Sequence, residues 1–139
     1  MKTKVFLGGT CNGSNWRDLL IPMLNIDYFN PVVANWTPEC QARELEEREN
    51  ADFCLYFITP KMTGFYSIAE VADDSNKRPS KTLFAYCEED GGKFEPHQLK
   101  SLIATGKLVE RNGGAFIKTA TPSMEEQLKV VANFLNSKT

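Results

Sequence analysis

The side chains of this sequence that can do chemistry are mainly carboxylates, and Glu70 stands out among them by position. The apolar run Phe-Cys-Leu-Tyr-Phe-Ile within Ala51 to Thr59 breaks at Pro60, and Ser67-Ile68-Ala69-Glu70-Val71 then opens a helix-like stretch. A carboxylate about one turn into a helix that starts at the carboxyl end of a strand is favoured by the helix N-terminus. The spacing predicts that Glu70 stays ionised at pH 7 and can act as a nucleophile or electrostatic partner. It equally suits a residue that only complements its helix dipole. Glu44 is a second acid, in the run Glu44, Glu46, Glu47, Glu49 that also reads as a solvated helix face.

Other chemistries are poorly supplied. His97 is the only histidine, so schemes needing two imidazoles fail, and it reads as a surface or helix-start residue. Cys11, Cys40, Cys54 and Cys87 are scattered, with no C-x-x-C pair and no neighbouring His. No structural zinc site is expected from such spacing, and carboxylate chemistry of this kind requires no metal or redox cofactor. Without an export signal the thiols read as reduced and cytoplasmic, with Cys54 and Cys87 inside apolar strands.

A glycine-rich loop, Gly8-Gly9-Thr10-Cys11-Asn12-Gly13, follows the first strand-like run. It misses G-x-G-x-x-G because Thr10 stands at the second glycine position, and it lacks the Gly-Lys-Ser/Thr ending of a P-loop. The acids of a phospho-receiver domain are also missing from the strand ends. Gly9, Thr10, Asn12, Gly13 and Ser14 can still offer backbone or hydroxyl groups to an anion or sugar. The alternative is a turn needed only for chain reversal.

These residues need positioning, and the chain alternates strand-like with helix-like segments. Strands are expected at Lys4–Leu7, at Tyr28–Phe29 with Pro31–Val33, within Ala51–Thr59, at Lys81–Cys87 and at Ala115–Ile117. Trp16, Leu19, Leu20, Met23 and Leu24 follow a helical period, capped by Ser14 or Asn15 and kinked or ended at Pro22. Glu39–Asn50 reads as a charged helix with Cys40, Ala42 and Leu45 inward. Ser67–Ser75 forms the helix bearing Glu70. Glu95–Thr105 forms another, ending at Gly106 as a C-cap. A last helix begins near Thr121-Pro122 or Ser123, where Ser123 and Glu126 fit a capping box.

Five strands alternating with five helices predict one domain over residues 1–139. Its class is an α/β three-layer sandwich, flavodoxin- or Rossmann-like, with a five-stranded parallel sheet in the order 2-1-3-4-5. Ligands of such sheets sit outside the carboxyl ends of the strands, at the switch point between strands 1 and 3. That rule selects the loops Gly8–Asn15, Asn30–Thr37 and Pro60–Ser67. Composition agrees with a globular chain: 139 residues, 42% hydrophobic and 24% charged, with a formal net charge of −2. A nucleic-acid binder would carry excess Lys and Arg, and a membrane span would need a longer apolar run, so neither partner is expected.

Ala51-Asp52 through Thr59-Pro60, then Gly64 and Ser67–Val71, together with Val5–Thr10, Trp16 and Asn30-Pro31…Trp36, resemble the nucleoside 2-deoxyribosyltransferase superfamily in its 2-deoxyribosyltransferase-like branch. The resemblance covers roughly residues 4 to 87. It implies cleavage or transfer at the N-glycosidic bond of a 2′-deoxynucleoside or deoxynucleotide. The Glu matching Glu70 would attack C1′ and form a glycosyl ester. Glu44 is the nearest counterpart of the family's second acid, able to orient or protonate the base. Where transferases carry an Asp in the loop before the catalytic Glu, this chain has Gly64. A non-catalytic nucleotide-binding module on the same scaffold is the alternative.

Further substrate contacts can come from Asn30, from Trp36 stacking on a base, and from Tyr66 beside the sugar. Trp16 follows the helix period but can also wall the pocket. Asp52 can cap a helix, hold backbone or contact substrate. The resemblance also implies a homo-oligomer, a dimer or larger.

Overall fold

The computed structural model describes residues 2–11, 13–118 and 122–138. The strands are β1 (Lys4–Gly9), β2 (Asp27–Phe29), β3 (Phe53–Ile58), β4 (Thr82–Tyr86) and β5 (Ala115–Phe116). The helices are α1 (Trp16–Leu20), α2 (Pro38–Asn50), α3 (Tyr66–Lys77), α4 (Pro96–Arg111) and α5 (Met124–Asn136). All five strands join one sheet in the order β2-β1-β3-β4-β5, and every pairing is parallel. The expected three-layer α/β sandwich is present. Among the described residues no helix is long and apolar enough to cross a membrane.

β3 lies at the centre because it is apolar on both faces. Leu55 and Phe57 pack with Trp16 and Leu20 of α1 and with Leu128, Val131 and Leu135 of α5. Cys54, Tyr56 and Ile58 face the other way, against Val71 of α3 and Leu102 and Val109 of α4. Each such side chain fully buried contributes on the order of 1.5–3 kcal/mol, which makes β3 the rigid floor for whatever its carboxyl end carries.

Several elements depart from the sequence expectation. β1 continues through Gly8 and Gly9 instead of breaking there. Gly8 is required because a Cβ would lie 2.6 Å from the Tyr56 ring. Gly9 has φ +119°, and its Cβ would lie 2.1 Å from the Phe57 carbonyl oxygen. The glycines let β1 press against β3.

β2 ends at Phe29, so Pro31–Val33 is not strand. Pro31 has no N–H to donate, and the Asn30 side chain accepts the Val32 N–H at 3.0 Å, turning the chain away from the sheet. α1 stops at Leu20 and tightens into a 3-10 turn over Ile21–Met23, as Pro22 dictates. Asn15 is its N-cap residue but makes no side-chain cap bond, and Ser14 donates instead to Asp90 at 2.7 Å.

α2 turns a charged face inward. Glu47 and Arg48 are buried, whereas Leu45 and Ala42 are exposed. Lys4 Nζ lies 2.8 Å from Glu47, so this burial is matched by a counter-charge. α4 runs straight through Gly106, which is not a C-cap. A Cβ there would lie 2.3 Å from the Phe116 ring, so the glycine admits β5 against the helix. α5 starts as expected, with the Ser123 side chain accepting the Glu126 N–H.

Candidate active site

A cavity of about 460 Å³ opens at the carboxyl ends of β1 and β3, at the switch point of the sheet. Its walls are Gly9–Cys11 at the end of β1, Pro31–Val33 and Trp36 after β2, one face of α2, and Met62–Gly64 leading into α3. Glu44 and Arg48 reach it from α2; Tyr66, Ser67 and Glu70 reach it from α3. The three loops selected by the sheet rule therefore meet, and α2 contributes more than expected.

Glu70 lies in the second turn of α3, with its side chain 17% exposed. Burial pushes its carboxyl up from 4.5 to about 7, partly offset by Arg48 and reinforced by the charges of Glu44, Asp74 and Asp73. The expectation of a fully ionised Glu70 at pH 7 is thereby corrected. The helix-terminus effect fades beyond the first turn, and desolvation dominates there. Glu44 is also raised, by burial first, while the Trp36 side chain and the Arg48 and Arg17 charges pull it down. Two carboxyls of one cavity are thus raised by burial, the mark of a functional cleft.

The glycine-rich loop is tied down by its own bonds. Thr10 N–H donates to the Phe57 carbonyl at 3.0 Å, and its Oγ1 accepts the Thr59 N–H at 2.9 Å. The Thr10 carbonyl accepts from Trp16 Nε1 at 2.7 Å and from Arg17 Nη1 at 2.6 Å. Ser67 Oγ donates to the Gly9 carbonyl at 3.1 Å, locking the start of α3 to the loop. Thr10 N–H is thus not free for an anion.

Gly9, Thr10, Trp36, Glu44, Gly64, Tyr66 and Glu70 line the cavity. Gly64 has open space where a Cβ would stand. The other sequence candidates among the described residues lie elsewhere. Trp16 is fully buried beneath the loop, with its ring 5.1 Å from that of Phe57. Asn30 shapes the turn after β2. The Gly13 carbonyl accepts Lys61 Nζ at 3.1 Å, and Ser14 is bonded to Asp90, both outside the lining. Asp52 sits at the amino end of β3, where it accepts the Lys4 N–H at 2.8 Å. That is the opposite end of the sheet, and its bond there is structural. Asn12 lies outside the described residues.

Arg48 was hidden from sequence reading by the charged run around it. The signal that could have found it is the acidic set Glu70, Asp73 and Asp74, which shares one face of α3 and needs a cation opposite. Arg17, likewise unremarked in sequence, is a buried cation held by the carbonyls of Leu7, Gly9 and Thr10.

A family model described as nucleoside 2-deoxyribosyltransferase like matches residues 2–89. That span includes β1 to β4, α1 to α3 and every residue named above as lining the cavity. No curated protein and no solved structure matches the chain. With the matched span covering well over half of its residues, the chain belongs to the nucleoside 2-deoxyribosyltransferase-like family.

Proposed function

We propose that the protein cleaves or transfers at the N-glycosidic bond of a 2′-deoxynucleoside or deoxynucleotide, with Glu70 as nucleophile. The observation that carries this reading is the desolvated Glu70 carboxyl in the cavity at the sheet's switch point, facing Glu44 and aromatic walls. A Glu70 oxygen bonds to C1′ as the bond from C1′ to the base nitrogen breaks. The bond's electron pair leaves with the base, and Glu44 in its protonated form delivers a proton to it. The transition state is cationic at the sugar, and the negative charge of Glu70 beside it stabilises it. In the second step an acceptor base or water bonds to C1′ and Glu70 departs as a carboxylate. Trp36 and Tyr66 supply faces for the base and sugar.

Gly64 favours a second reading, a nucleotide-binding module without turnover, because no acid side chain projects from that loop position. Incubation with a panel of deoxynucleosides and deoxynucleotides, with and without a free acceptor base, separates the two. Exchanged product marks a transferase and free base alone a hydrolase. Thermal stabilisation by ligand without turnover marks a binding module. Glu70→Ala should abolish turnover; unchanged activity in that variant removes Glu70 from the role. The reading also includes self-association into a dimer or larger, supported by the exposed apolar rim of Val32, Val33, Trp36, Phe65 and Tyr66. Solution mass measurement tests it.

A further inference from the structure

The reaction above leaves unused a set of ionisable groups buried beneath the cavity. Arg48, its side chain 6% exposed, reaches from α2 to α3. Its Nε and Nη2 hold the two oxygens of Asp74 at 3.2 and 2.8 Å. Asp74 is fully buried and is completed by the Tyr56 hydroxyl and by Arg78 Nη1 at 2.7 Å. Nη2 also meets Asp73 at 3.1 Å. The remaining nitrogen, Nη1, lies 3.5 Å from Glu70 Oε2.

The geometry points to Arg48 as a positioning residue for Glu70: clamped in one plane by Asp74, it holds one carboxylate oxygen and leaves the other for attack at C1′. This rests on the reading of Glu70 as nucleophile. The two-pronged grip of Asp74 fixes the guanidinium plane independently of Glu70. The Tyr56 hydroxyl ties that pair to the central strand, so the orientation is set by the most buried part of the sheet. Among the described residues no hydrogen bond engages Glu70 Oε1. Residues 70, 73 and 74 are spaced i, i+3, i+4, so one guanidinium can meet all three.

A fixed cation at this place acts on both halves of the reaction. It favours the ionised nucleophile before attack, and it favours departure of Glu70 as a carboxylate in the second step. No proton or electron passes through Arg48. The groups that set the ionisation of Glu70 are Glu44 and Arg48 from α2 and Asp73 and Asp74 from α3, with Tyr56 of β3 bonded to Asp74. Four carboxylates, Glu70 included, face Arg48 and Arg78, so removing Arg48 leaves Glu70 harder to ionise.

The test is the pH profile of base release or exchange in the wild type, Arg48→Gln and Arg48→Lys. Arg48→Gln should move the acid limb upward by about one on the pH scale or more. Arg48→Lys keeps the charge but loses the fork, and should lower kcat about 10- to 100-fold with KM little changed. An acid limb unmoved in a folded Arg48→Gln, or a wild-type kcat in Arg48→Lys, overturns the proposal. If Arg48→Gln fails to fold, the Lys variant alone decides. Glu70→Ala, run alongside, must be inactive; activity there removes the nucleophile reading itself and the proposal with it.

Discussion

Glu70 was legible in the sequence as a carboxylate near the start of a helix after the central strand, but its ionisation was not. That depends on α2 lying across it, which brings Glu44 and Arg48 into the same cavity. The raised position has a consequence for stability. A group raised from 4.5 to about 7 in the folded state binds a proton there more readily than in the unfolded chain. The stability it contributes is complete below about 4.5 and is lost as pH rises through about 7. Glu70→Gln cannot ionise, so it should be more stable than wild type at pH 8, by on the order of 3 kcal/mol. The difference should vanish toward pH 4.5, as measured by denaturant unfolding across pH. A constant difference at all pH values would mean that Glu70 titrates normally.

Gly64 gives a second prediction at this scale. A Cβ there meets nothing within 4 Å, and no positive φ forces glycine. Gly64→Asp should therefore fold with stability within about 0.5 kcal/mol of wild type. By restoring the acid that transferases carry in this loop, it should raise the ratio of base exchange to hydrolysis. Product ratios at fixed acceptor concentration measure this, and an unchanged ratio would show that the loop acid is not what limits exchange.

At the scale of elements, the alternation of strands and helices followed from apolar periods, and the loops around the cavity from the rule for parallel sheets. The errors came where tertiary contact overrode a local signal. Gly106 has the look of a helix terminator, yet it is a point of close approach between α4 and β5. α2 looks as if it turns Cys40, Ala42 and Leu45 inward, yet Arg48 and Glu47 are the residues buried, because charged partners wait on α3 and β1. The Gly106 reading is directly testable. Alanine is favoured over glycine inside a helix by about 1 kcal/mol, so Gly106→Ala would be stabilising on propensity alone. Its Cβ would press on the Phe116 ring, and such overpacking costs about 1–3 kcal/mol. A net loss of up to about 2 kcal/mol is expected in chemical denaturation. A gain in stability would show that Phe116 swings aside and that the glycine is only tolerated.

For the whole molecule, the sheet divides the four cysteines by environment, and this gives a readout of fold and cavity together. Cys54 and Cys87 are buried in the two cores, and burial pushes each thiol up to about 12. Cys11 is exposed on the cavity wall, and Cys40 is half-buried in the first turn of α2, where the Thr37 hydroxyl approaches its sulfur at 3.3 Å. Alkylation depends on both access and thiolate fraction. In the native protein at pH 8, Cys11 should react first and Cys40 more slowly, while Cys54 and Cys87 should react only after denaturant is added. A saturating deoxynucleoside should then slow Cys11 while leaving Cys40 unchanged, because only Cys11 lines the cavity. Site-resolved mass spectrometry distinguishes the four positions. Native reactivity of Cys54 would mean that β3 is not covered on both faces, and equal slowing of Cys11 and Cys40 would put the ligand outside this cavity. The measurement needs no turnover, so it locates the substrate whether the protein transfers, hydrolyses or only binds.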